Sequence, residues 1–186
     1  GPSKLKTRTN VTLSTPQYLN RHAAETFLVL GTGPSLRSHS REIFELIAKE
    51  DPIVLGANNI TQFIKPHYHA FSNRYRFSES AHTIDRTKSR VLLSPYFTDQ
   101  FISQYFTDTF EFIMHVEDNE APFDIRDGII QCNCRTVSVL LIGVALVMGA
   151  SRILIAGLDG LPTPKPERSD TNGQETSFHF YDEPTG

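Results

Sequence analysis

Short apolar runs that end in glycine or asparagine and alternate with helical patterns limit this chain to a narrow set of folds. "TFLVL" (26–30) runs into Gly31-Thr32-Gly33, and "PIVLGANN" (52–59) into a turn at its two asparagines. "HYHAFSN" (67–73), "RVLLSP" (90–95), "FEFIMH" (110–115) and "RILIAGLDG" (152–160) read as further strands. Continuous apolar runs of this length suit strands buried on both faces rather than half-exposed ones. Between them, "SLRSHSREIFELIAKE" places Ile43, Leu46 and Ile47 at helical spacing, with Ser38 or Ser40 as the cap. Thr98–Phe106 reads as a short aromatic helix, and Asn133–Gly149 as a helix apolar almost all round. Strands alternating with helices imply right-handed crossovers. The expected fold class is therefore α/β: a Rossmann-like, mostly parallel sheet flanked by helices, in a single domain over residues 25–186. Residues 1–24 read as a tag scar (Gly1-Pro2-Ser3) followed by a polar linker or entry arm. The abrupt end at "HFYDEPTG" reads as that of a piece cut from a longer protein.

Charge and composition exclude several classes of function. With 186 residues, 39% hydrophobic and 21% charged, the chain suits one soluble globular domain. Its net charge of −3, without a basic stripe, lacks the electrostatic footprint of a duplex nucleic-acid binder. Val137–Met148, the longest apolar run, is shorter than the ~20 residues a bilayer span requires. The only cysteines, Cys132 and Cys134, are too few for a four-thiolate zinc site. Adjacent same-face strand positions also make poor disulfide partners, so two reduced thiols and a cytoplasmic location are expected.

In an open parallel sheet, ligands bind outside the carboxyl ends of the strands. The residues that follow the strands should converge there: Gly31, Thr32, Gly33, Pro34 and Ser35 after the first, Asn58 and Asn59 after the second, Asn73 after the third, and Asp159 after the last. Glycines let a ligand approach the backbone, and N–H groups at a helix start favour an anion. The asparagines offer neutral donors and acceptors for a base or a sugar, and Asp159 an acceptor for a ribose hydroxyl. Each residue also has a purely structural role open to it. Gly31 and Gly33 shape a strand-to-helix turn, Ser35 caps a helix, Asn58 and Asn59 stabilise a left-handed turn, and Asp159 caps a loop. His67 and His69, two apart on a strand, form an alternative metal pair, but no third ligand stands at a recognised spacing. "SFHFYDE" (177–183) supplies His179, Tyr181 and Asp182 for proton transfer or phosphate contact, unless it is simply a strand with Phe178 and Phe180 inward. Neither a Gly-x-Ser-x-Gly elbow nor a P-loop lysine is present, which argues against serine hydrolase and P-loop kinase chemistry. Leu36 stands where the third glycine of a dinucleotide fingerprint belongs.

"LVLGTGPSL", "VLGANN" and "TVSVLLIGVALVMGASRILIAGLDG", in that order, resemble the pattern of bacterial sialyltransferase-like proteins. The same signature marks a related group that includes hydroxymethylpterin diphosphokinase-like proteins and flagellin-modifying glycosyltransferases. The resemblance spans about residues 26–160. It implies a metal-independent, cofactor-free transferase fold that takes a CMP-activated acidic sugar (sialic acid-like or Kdo-like) as donor and a glycan as acceptor in surface-glycan assembly. Gly31 to Ser35 would cradle the phosphate and ribose, and Asn58 would contact the nucleotide. Thr136 to Ser138 would face the donor from a helix start, and Asp159 would border the pocket. The chain departs from the sialyltransferase pattern at Thr32, where asparagine is usual, and at Gly160-Leu161-Pro162, where tyrosines follow. His179 is the candidate general base and Tyr181 a phosphate or acceptor ligand. Two alternatives remain: an ATP-dependent pterin-type diphosphokinase using Asp159 and Asp182 around magnesium, and a non-catalytic module of a larger biosynthetic enzyme. Expected partners are the donor and acceptor themselves, without nucleic acid, in a homo-oligomer or a fusion with further domains. The chain would lack a transmembrane segment, with peripheral membrane association open to it.

Overall fold

The computed structural model describes residues 14–120, 122–134 and 136–158, together with the backbone of 179–180. The strands are β1 (Thr26–Leu30), β2 (Ile53–Ala57), β3 (Tyr68–Phe71), β4 (Arg90–Leu93), β5 (Glu111–Phe112), β6 (His115–Glu117), β7 (Asp124–Arg126), β8 (Ile129–Cys132), β9 (Arg152–Ala156) and β10 (His179–Phe180). The helices are α1 (Ser35–Ser38), α2 (Ser40–Glu50), α3 (Arg74–Ser80), α4 (Asp99–Tyr105) and α5 (Val137–Val147). Seven strands form one sheet in the order β10-β9-β1-β2-β3-β4-β5, and every pair in it is parallel. This is the α/β, Rossmann-like parallel sheet with flanking helices expected of the alternating pattern.

The continuous apolar runs are explained by burial on both faces. In β1, Phe27 and Val29 join the cluster under α5, with Leu141 and Val144, while Leu28 and Leu30 join Ile43 of α2 on the opposite side. The aromatic helix α4 packs with α3 on that opposite side around Phe71, Phe77, Phe97 and Ile102. Phe77 and Phe97 stack with ring centroids 5.5 Å apart. Thr98 caps α4 by accepting from the Phe101 N–H.

Several boundaries differ from the sequence reading. The helical stretch after the first turn is two helices, broken at His39 (φ −111°, ψ 20°), and neither Ser38 nor Ser40 caps α2. The Ser38 hydroxyl instead donates to the Ser35 carbonyl. The run 110–115 divides between two sheets. Ile113 N–H still donates to Leu93 of β4, but the next amide, Met114, donates to the Tyr18 hydroxyl at 3.0 Å. With that ladder position taken, the chain leaves the main sheet and enters a three-stranded sheet, β6-β8-β7. Its β7–β8 hairpin turns on Asp127-Gly128, both with positive φ (55° and 77°). An Asp-Gly pair between two short apolar runs is a hairpin signal in the sequence itself.

Residues 14–24 are packed into the fold. Tyr18 is fully buried, and the amides of Asn20, His22 and Ala24 donate to the carbonyls of Val147, Met148 and Gly149. These bonds satisfy carbonyls that the end of α5 leaves without helical partners. Arg21 adds a fork to Glu111 at 3.0 and 2.8 Å.

Cys132 and Cys134 form a disulfide, with Cα atoms 5.1 Å apart, rather than two separate thiols. Two steps along an extended strand would span ~6.6 Å. Because β8 ends at Cys132, the chain bends there and brings the second side chain back to the first. The pair therefore no longer argues for a reducing compartment. Among the described residues, no helix is long and apolar enough to cross a membrane.

Candidate functional site

Strand order reverses at β1, which has β2 on one side and β9 on the other. Such a switch point opens a crevice at the carboxyl ends of the strands. Here the turn after β1 and the turn after β9 run in direct contact. Gly31 N–H donates to Ala156 O (2.8 Å) and Gly33 N–H to Gly157 O (3.0 Å). A Cβ on Gly31 would collide with the Gly157 carbonyl and with Leu158 Cδ2 at 2.7 Å. Gly157 has φ +76°, and a Cβ there would meet Leu36 Cγ at 2.7 Å. Gly31, which is buried, is thus required by this backbone contact, and Gly157 by its positive φ and the Leu36 side chain.

A cleft of about 460 Å³ opens beside this contact, within the ~300–1,000 Å³ usual for small-molecule sites. Thr32, Gly33, Asn58, Asn73, Thr136 and Ser138 all line it, brought from four separate chain segments. Ser72, Arg76 and Gly157 add to its polar lining, and Val137, Val139, Ile142 and Leu158 supply apolar surface. Three features give it chemical character.

The first is the start of α5. Thr136 is its N-cap, in extended conformation, but its side chain makes no capping bond. The first-turn amides therefore lack that internal acceptor, and Val137, Ser138 and Val139 line the cleft. Uncapped helix N-termini favour anions through both these donors and the helix dipole.

The second is Asn58, which sits in the left-handed region (φ 57°). Its carbonyl accepts from His69 Nε2 at 2.7 Å, and its Oδ1 is buried without a hydrogen-bond partner among the described residues. His69 is wholly buried, and burial pushes its pKa down to about 4, the bond to Asn58 opposing this. It is therefore neutral at physiological pH and donates from Nε2. The bond fixes the backbone of Asn58, which itself lines the cleft.

The third is the start of α3. Asn73 Oδ1 accepts from Arg76 N–H at 3.0 Å, which assigns the amide orientation and leaves the NH2 for another partner. Arg76 is exposed and has no carboxylate within ion-pair distance among the described residues; its guanidinium lies 5.9 Å from the Tyr75 ring centre.

Other sequence candidates fall elsewhere. Ser35 is fully buried at the start of α1 and lines no cleft described here. Pro34 and Asn59 line a second cleft on the other side of the turn. Asp159 and Tyr181 lie outside the described residues. Of His179, only the backbone is described, paired in parallel with Ile155 of β9. His67 and His69 do not act as a pair. His67 Nδ1 accepts from Val54 N–H at 2.9 Å, whereas His69 bonds to Asn58. Arg76 was not foreseen, because its place on the rim depends on the helical phase of α3, an element the sequence reading did not contain. Arg74, at the start of that helix, lies over the Phe101 ring at 4.4 Å and does not line the cleft.

The described lining holds no histidine, carboxylate, lysine, cysteine or tyrosine. What these residues provide is recognition of an anion beside a neutral polar group. Comparison with protein-family models, with curated proteins and with solved structures finds no match to this chain.

Proposed function

We propose that this domain binds the nucleotide of an activated sugar, foremost a CMP-linked acidic sugar, as part of a glycosyltransferase-like protein of bacterial surface-glycan assembly. The observation that carries the reading is a cleft lined by Asn58, whose buried Oδ1 has no partner among the described residues, together with the α5 N-terminus and Arg76. A buried acceptor left unsatisfied is unusual in a folded protein, and a ligand N–H or O–H from a base or ribose would complete it. The phosphate would lie between the first amides of α5 and the Arg76 guanidinium, a charge-assisted arrangement. In catalysis, the same donors would stabilise the departing CMP phosphate. His179 would act as the base and Tyr181 as a phosphate or acceptor ligand, both supplied by the segment that follows β9.

A thermal-shift panel of CMP, CDP, UDP and ATP tests the reading, since a ligand that binds only the folded state raises the melting temperature by mass action. Cytidine nucleotides are expected to stabilise the protein most. Losing the Arg76 contact, worth about 1.5–3 kcal/mol, should weaken CMP by roughly tenfold or more in Arg76→Ala. A magnesium-dependent response to ATP alone would overturn the cytidine assignment in favour of a diphosphokinase-type activity.

A further inference from the structure

The glycine turn has a cleft on each side. The second, of about 270 Å³, is walled by Thr32, Gly33 and Pro34 of the turn, by Leu36 and Arg37 of α1, and by Asn59, Ile60, Gln62 and Phe63 after β2. Thr32 and Gly33 border both cavities. The first cleft contacts α5, whereas Leu36, Ile60 and Phe63 belong to the cluster around α2. The two therefore lie on opposite faces of the sheet, divided by the turn at its carboxyl edge.

The second cleft carries a distinct set of unused groups. Arg37 is the one charged residue of its described lining and is exposed. Arg21, Arg41, Arg86, Arg90, Arg126 and Arg152 all reach a carboxylate. Arg37 has none among the described residues, a trait it shares with Arg76 across the turn. Asn59 caps the 3-10 turn Ile60–Gln62 through its backbone alone, and its side chain makes no capping bond. Gln62 is exposed, with its amide unengaged among the described residues. Phe63 stacks on Phe44 with centroids 5.0 Å apart and planes at 24°, and Phe44 is itself 45% exposed.

We infer that this second cleft is a binding site for a single anionic sugar ring. A free guanidinium offers a fork to a carboxylate or phosphate. Two amides, each both donor and acceptor, suit neighbouring hydroxyls. The half-buried Phe63 ring offers an apolar surface to the face of a sugar ring, and the volume falls just under the ~300–1,000 Å³ of ligand pockets. The inference is independent of the nucleotide reading, because the two clefts share only Thr32 and Gly33 of the turn.

The test is a titration of the isotopically labelled 186-residue protein, read by backbone amide shifts. The probes are glucuronate, glucose 6-phosphate, glucose and CMP. At least one anionic sugar is expected to move the amides of Asn59, Gln62 and Phe63 saturably, whereas glucose is not. A response to glucuronate alone assigns a carboxylate, and one to glucose 6-phosphate alone a phosphate. Arg37→Gln, at an exposed position, should keep the wild-type spectrum and weaken that binding about tenfold. The inference is overturned if neither anion moves these amides, if glucose moves them equally, or if Arg37→Gln binds as wild type. It is also overturned if CMP moves Asn59–Phe63 in preference to Asn73 and Ser138. A lack of any CMP response at Asn73 and Ser138 bears only on the nucleotide proposal.

Discussion

Replacing His115 by phenylalanine should raise stability and, more tellingly, reduce the stability lost on acidification. His115 opens β6 and is 1% exposed, and neither ring nitrogen has a partner among the described residues. Its ring lies 5.4 Å from that of Tyr96. Burial alone pushes its pKa from 6.5 down to about 4. His69 is lowered to about 4 as well, chiefly by burial. Each histidine binds fewer protons in the folded state than in the unfolded state between these two values. Stability therefore rises with pH across that window, is fully present above about 6.5, and is lost as pH falls towards about 4. At about pH 5 the medium is roughly 1.5 units below the unfolded pKa, so each histidine costs about 2 kcal/mol and the pair about 4. Phenylalanine at 115 removes one of these two contributions. It also removes buried unsatisfied nitrogens, worth about 1–3 kcal/mol at neutral pH. Urea unfolding followed by far-UV circular dichroism at neutral pH and near pH 5 measures both terms. The advantage of His115→Phe over wild type should grow by about 2 kcal/mol on acidification. An advantage that stays constant with pH would refute the assignment of a neutral, buried His115.

Three further outcomes follow from the packing. Gly31→Ala places a methyl against the Gly157 carbonyl; overpacking of this kind costs about 1–3 kcal/mol, and an unchanged melting temperature would contradict the contact between the two turns. Tyr18→Phe leaves the Met114 N–H without its acceptor, at a cost of about 1–3 kcal/mol measured by denaturant unfolding. Burial also pushes the Tyr18 pKa up to about 12. The unfolded tyrosine ionises first, so wild type should lose stability as pH rises from about 10, and Tyr18→Phe should lose less.

Much of the fold was legible because the central strands β1 to β3 are buried on both faces and so write themselves as apolar runs. Phe27 to Leu30 show this: alternate residues face α5 and α2. Legibility failed where tertiary contacts divide a run, as at Met114, whose amide goes to Tyr18, ninety-six positions earlier. The Asp127-Gly128 hairpin was readable and was missed. For the site, strand-end reasoning names residues near the right edge but not the face they serve. Thr32 and Asn58 meet at one cleft, Pro34 and Asn59 line the other, and Ser35 turns inward. Which way a chain leaves the sheet depends on packing against α1 and α2, and spacing alone does not encode it. Of the two roles open to Gly31, a ligand's approach and the shaping of a turn, the structural one has a visible cause in the Gly157 backbone.

The central claim, a mononucleotide cleft at the β1–β9 switch point, is tested most directly by calorimetric titration with CMP. Wild-type protein, Arg76→Ala and Asn58→Leu should be compared. The account predicts saturable binding to the wild type, weakened about tenfold or more by Arg76→Ala and reduced by Asn58→Leu, which removes the unpartnered acceptor. No binding at millimolar CMP, or equal binding by all three proteins, would contradict it.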